Sequence, residues 1–252
     1  MAKNRDNCVI LLVTPPEQER TSREFQTAFG KERAVQVSGD LLSQAYKTLK
    51  GFPNTLLLLS YEKTTRHPDL TWLDPEDPGF LEFTTKPPED RIRDVFRLAF
   101  FTGAKKALLI DPLSPEIKGD WLSQAFEALN DRTVALGSNQ DGSFYLLGLT
   151  QQNIKILDAA GFTSGKGAEN IAERVKKNKL SLFSAPETYC VNSEDSLRKW
   201  LENREKEPRL FKEQQARTTQ QQEQETKKHG KRHPRSHEEP TGRTSQETTP
   251  LC

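Results

Sequence analysis

The stretch Lys106 to Leu149 constrains the fold more than any other part of the chain. A short apolar run, Ala107 to Ile110, stops at Asp111 and a loop broken by Pro112 and Pro115. Trp121, Leu122, Ala125, Phe126 and Leu129 then recur at helical spacing. A second apolar run, Val134 to Leu136, empties into Gly137-Ser138-Asn139-Gln140-Asp141-Gly142-Ser143, and Phe144 to Leu149 is apolar again. Runs this short and this continuous suit strands covered on both faces. A strand, a helix and a strand in that order make a βαβ unit, whose ligands bind beyond the carboxyl ends of the strands.

The rest of the chain repeats the pattern. Cys8 to Val13 and Thr55 to Ser60 are further buried strands, and Phe80 to Thr84 alternates as a third. Helices are expected around Phe25 to Phe29, over the Leu41, Leu42, Ala45, Tyr46 and Leu49 repeat, and from Arg91 to Thr102. Later come Ile154 to Ala159, a helix from Ala168 to Val175, a strand at Leu180 to Phe183 and a last helix near Ser196 to Leu201. The segment Glu62 to Pro78 is polar and proline-rich, and His67 within it lacks any nearby ligand partner.

Apolar residues nearly vanish after Arg204, which accounts for an overall hydrophobic fraction of only 33%. The expected organisation is therefore one α/β domain over residues 6–203 and a disordered polar tail over 204–252, too polar to offset its ordering entropy. Within the tail, Lys227 to His237 is a basic run without aromatic residues, suited to weak contact with nucleic acid or protein. A net charge of +1 gives no global attraction to nucleic acid or an anionic membrane. Cys8, Cys190 and Cys252 form no C-x-x-C pair, which fits reduced thiols. The first apolar run is too short for a secretory or spanning segment, so no membrane partner is expected and the location is expected to be cytoplasmic.

Two segments carry a resemblance. Leu108-Leu109-Ile110-Asp111-Pro112-Leu113-Ser114-Pro115 and Asp141-Gly142-Ser143-Phe144-Tyr145-Leu146-Leu147-Gly148-Leu149 resemble motifs of a bacterial glycosyltransferase-A-like family, the radical-SAM/selenodomain-associated transferases. That family is related to the nucleotide-diphospho-sugar transferases. The likeness covers roughly residues 7 to 201 and implies a three-layer α/β/α sandwich, GT-A-like, with a mostly parallel sheet. It implies a glycosyl- or nucleotidyltransferase whose partner is a nucleotide or nucleotide-sugar.

Carried over residue by residue, the resemblance assigns Thr14, Arg20, Arg23, Ser114 and Gly142 to the nucleotide. It gives Asp141 and Asp111 catalytic positions, and leaves Asn192 and Asp111 as metal candidates. The departures are chemical. The family's first metal aspartate aligns with Leu113, and the two aspartates of a later D-V-D segment align with Cys190 and Asn192. Of a G-D-L-G-E-R-M motif only Arg91 survives in Lys86 to Ile92. The expectation is no metal cofactor, or a weakly held Mg²⁺ or Mn²⁺. The alternative is a non-catalytic binding or scaffold protein that uses the same cleft or its tail.

Two local alternatives stay open. Asp111 also suits a cap on the turn that follows it, and Asp141-Gly142 suits a plain turn joining two strands. Asp111, Pro115 and Gly119 resemble a receiver phosphoacceptor loop as well, but the first strand ends at Thr14-Pro15 without the acidic pair that receivers need.

Overall fold

The computed structural model describes residues 6–13, 23–62, 79–83 and 87–204, the backbone alone at 23–24, 62 and 79–83. By its contacts the chain divides into two units, Met1–Leu201 and Glu202–Cys252. The expected tail, 204–252, lies outside the described residues but for Arg204.

The apolar runs are strands: β1 (Asn7–Val13), β2 (Thr55–Glu62), β3 (Gly79–Phe83), β4 (Lys106–Ile110), β5 (Thr133–Ser138), β6 (Phe144–Thr150) and β7 (Ser181–Ser184). The helices are α1 (Arg23–Phe29), α2 (Lys31–Lys50), α3 (Pro88–Phe101), α4 (Gly119–Ala128) and α5 (Gly167–Lys177), with a last helical run, α6, over 194–204. The apolar stretch after β6 is a single 3₁₀ turn, Ile154–Leu157.

The described strands form one seven-stranded sheet in the order β3-β2-β1-β4-β6-β5-β7. Every pairing is parallel except those of β6, which runs against both β4 and β5. The β4-α4-β5 unit is thus present, but its two strands are not neighbours. The five-residue link after Ser138 lets β6 fold back between them.

Side chains alternate across the sheet, so β1, β2, β4, β5 and β6 each feed two cores. Cys8 and Ile10 of β1, Ala107 and Leu109 of β4, and Val134 and Leu136 of β5 face α3 and α5, through Val95, Phe96, Ile171 and Val175. Val9 and Leu11, Leu108 and Ile110, and Ala135 face α2 and α4, through Leu42, Tyr46, Leu122 and Phe126. The result is a three-layer α/β/α sandwich. Burying a side chain such as Leu109 or Ile110 contributes about 1.5–3 kcal/mol.

A third apolar cluster joins α1 and the start of α2 to residues 189–200, through Phe25, Phe29, Val37, Val191 and Trp200. Trp200 Nε1–H donates to Gln44 Oε1 at 3.0 Å, and Gln44 Nε2–H donates to the Pro115 carbonyl at 3.1 Å. One glutamine on α2 therefore ties α6 to the loop after β4. Among the described residues no helix is long and apolar enough to cross a membrane.

Candidate functional site

Parallel strands deliver their loops to one edge of the sheet, and antiparallel β6 begins where β5 ends. The loops 111–118 after β4, 139–143 between β5 and β6, and 185–193 after β7 meet there. The backbone stitches them together. Asp111 N–H donates to Tyr145 O at 2.9 Å, Thr188 N–H to Ser138 O at 3.1 Å, Gln140 N–H to Thr188 O at 2.9 Å and Val191 N–H to Leu113 O at 2.9 Å.

A chain of side-chain hydrogen bonds runs through this seam. Ser114, 1% exposed, donates its hydroxyl to Asn139 Oδ1 at 3.0 Å, and Asn139 itself is 2% exposed. Asn139 Nδ2–H donates to Ser143 Oγ at 2.9 Å. Ser143 then donates its hydroxyl at 2.6 Å and its backbone N–H at 3.0 Å to Asp141 Oδ1. From the opposite side Asn192 Nδ2–H donates to Asp141 Oδ2 at 2.7 Å. Every step points its donor toward Asp141, so the exposed carboxylate is the acceptor at the end of the chain. Such linked donors polarise one another.

Asp111 lives in a different environment. It is half-buried, its Oδ1 accepts Leu113 N–H at 3.0 Å, and burial raises its pKa to about 6. The Leu113 hydrogen bond pulls that value down, and the negative charge of Asp141 pushes it up. Asp111 therefore caps its own turn and also feels Asp141. Cys190 feels both: burial first, then Asp111 and Asp141, hold its thiol above the ordinary range.

Leu113, at the position where the resemblance expects a metal aspartate, packs half-buried against the α1–α2 cluster. Among the described residues no three His, Cys, Asp or Glu side chains gather in a way that would hold a metal ion.

The structure brings together Asp111, Ser114, Asp141, Gly142 and Asn192 of the candidates read from sequence. Thr14 and Arg20 lie outside the described residues. Arg23 opens α1 by its backbone, and its side chain lies outside them as well. Asp141-Gly142 is indeed a turn joining two strands, with Gly142 N–H donating to Asn139 O at 3.0 Å, and it is also part of the site. Gly142 has φ +84°, and an added Cβ would fall well inside contact distance of the Gly165 carbonyl oxygen. Glycine is required there for both reasons.

Sequence reasoning missed Asn139 and Ser143 as members of the chain. The Asn-x-Asp-Gly-Ser spelling was a signal for the turn, but nothing local shows that Asn139 is buried.

Comparison with known proteins bears on the fold. Residues 45–163 match the model of a family described as "Uncharacterized protein conserved in bacteria (DUF2064)". No curated protein matches the chain in sequence. A presumed nucleotide-diphospho-sugar transferase from Desulfovibrio desulfuricans G20 superposes with a TM-score of 0.67 at 18% identity, over 75% of this chain and 83% of that one. A nucleotidyl transferase from Methanothermobacter thermautotroptrophicus gives 0.55 at 13% identity, over 81% and 98%. A CMP:2-keto-3-deoxy-manno-octonic acid synthetase complexed with CTP gives 0.51 at 9% identity, over 80% and 99%. The chain thus shares its fold with these transferase structures, and its residues 45–163 match the DUF2064 family model.

Proposed function

We propose that this chain binds a nucleoside diphosphate or nucleotide-sugar at the carboxyl edge of its sheet, with a divalent cation contributing little. The observation that carries the metal-poor part is the engagement of both Asp141 oxygens by neutral donors, with the Asn192 amide 2.7 Å from Oδ2 where a metal site would need a second oxygen ligand. Mg²⁺ and Mn²⁺ take hard oxygen ligands, usually including carboxylates. Here Leu113 offers no ligand, Cys190 holds a protonated thiol, Asn192 points N–H at the carboxylate, and Asp111 already caps its turn. The donor set does not fit a tightly held divalent ion.

Nucleotide as the ligand class is supported by the fold and by the neighbour that was solved with CTP. Arg20 and Arg23 are the basic residues that the resemblance sets toward a diphosphate, and guanidinium pairs with phosphate oxygens directly. A metal-poor edge favours binding without turnover over transfer, because a departing diphosphate ordinarily needs its charge met. The same reading puts the protein in the cytoplasm and gives the basic run Lys227 to His237 a weak, salt-sensitive contact with nucleic acid.

A thermal-shift screen of nucleoside diphosphates and nucleotide-sugars, each with and without Mn²⁺, tests the proposal. At least one should raise the melting temperature equally in both conditions. A screen in which none shifts it sinks the nucleotide reading.

A further inference from the structure

One segment stands behind the Asp141 turn. Residues 156–168 run from the 3₁₀ turn into the first turn of α5 and are tied down from two helices. From α5, Asn170 Nδ2–H donates to Gly161 O at 2.7 Å, and the Arg174 guanidinium donates to Ile156 O at 3.2 Å, to Ala159 O at 3.0 Å and to Ala160 O. From α3, Arg93 donates to Leu157 O through Nε at 3.1 Å and through its terminal nitrogen at 2.7 Å. Glu89, in the first turn of α3, reaches further along the segment than Arg93 does. Its Oε1 accepts Gly161 N–H at 2.6 Å, Thr163 N–H at 3.4 Å and the Thr163 hydroxyl at 3.3 Å.

The far end of this segment meets the site. Ala168 N–H donates to the Gly142 carbonyl at 3.1 Å, and Gly165 O lies where a Gly142 side chain would have to go. On its other side Gly142 N–H is held by Asn139 O. The turn that carries Asp141 is therefore pinned from two directions, by the end of β5 and by the 161–168 loop. Only the second depends on α3.

We propose that Glu89 is a positioning residue, which through the 161–168 loop fixes the Asp141-Gly142 turn and so sets where Asp141 faces the ligand. Hydrogen bonds to a charged acceptor are stronger than those between neutral groups. The carboxylate also gathers two backbone N–H groups that the loop cannot pair within itself. Removing it leaves Gly161 held by its carbonyl alone, releases Thr163, loosens Ala168 on Gly142, and lets Asp141 drift from Asn192. The role of Asp141 toward a ligand rests on the function proposed above; the mechanical coupling does not.

The experiment uses the full chain with Glu89→Ala, Glu89→Gln and Glu89→Asp, and NMR readouts that need no ligand. Glu89→Ala should speed amide exchange at Ala168 and Gly142 by about tenfold or more. It should also move the Asn192 side-chain amide protons toward the position of a free amide. Amides inside β4 and β6 should exchange as in the parent. Glu89→Gln keeps an acceptor oxygen and should recover most of the effect. Should the alanine variant lose its fold, Glu89→Asp, which withdraws the carboxylate by one methylene, carries the same test.

Faster exchange confined to 161–163, with Ala168 and the Asn192 amide unchanged, overturns the proposal. A glutamine variant as disturbed as the alanine variant does so too. A protein that binds no nucleotide would sink the proposed function while leaving these readouts, and this inference, intact.

Discussion

Replacing Asp111 by asparagine should stabilise the protein at neutral pH. Burial raises the Asp111 pKa from 3.8 to about 6. Between those values the native state holds a proton that the unfolded chain has released, so stability falls as pH rises through the window and levels off above it. Taken at face value the shift costs about 3 kcal/mol at pH 7.5. Asp111 is only half-buried, and solvent reduces this to about 1–3 kcal/mol. Asparagine keeps the Oδ1 that accepts Leu113 N–H, so the turn survives and only the charge is lost. For a domain of this size the gain corresponds to roughly 2–10 °C in melting temperature. Thermal unfolding of both proteins at pH 7.5 and pH 4 is the assay. The gap should be open at pH 7.5 and shrink to a small fraction at pH 4. A variant that melts at or below the parent temperature at pH 7.5, or a gap that ignores pH, would refute the burial argument.

Gly142→Ala should cost about 2–4 kcal/mol, from a left-handed backbone plus a collision with the Gly165 carbonyl. Urea unfolding checks it, and a loss under about 0.5 kcal/mol would mean that the turn has room to move. Cys190 should react with a thiol reagent at pH 7.5 at least about tenfold more slowly in the native state than in urea, because burial and two carboxylates hold its thiol protonated. Peptide mapping separates it from Cys252, and equal native and unfolded rates would contradict the placement.

The fold was largely legible because buried strands in this chain are written as uninterrupted apolar runs. Cys8 to Val13, Thr55 to Ser60 and Phe144 to Leu149 each match an observed strand within one or two residues. The start of α2 was not legible. Lys31 to Asp40 buries only Ala34 and Val37, too few apolar positions to show a period, and contains a mid-helix Gly39. The insertion of β6 between β4 and β5 is a pairing choice between distant segments, and local pattern does not encode it. At the site, Asp111, Asp141 and Asn192 could be named because the resemblance set their segments against acidic motifs of the family. Ser143 and Asn139 could not, since their role comes from each other's geometry. Leu113 could be recognised as no ligand, but its packing with α1 and α2 needed the structure. Glu89 sits 72 residues from the Gly161 amide that it accepts, a separation no sequence window spans.

The central claim is that this edge of the sheet binds nucleotide without leaning on a metal. Isothermal calorimetry of CDP and UDP, in EDTA and then in Mn²⁺, tests it most directly. The account predicts affinities that differ by less than about threefold between the two conditions and that fall with Arg20→Ala or Arg23→Ala. If Mn²⁺ instead raises affinity by about tenfold or more, roughly 1.4 kcal/mol, and Asp111→Ala removes that gain, the metal-poor account of the site is wrong.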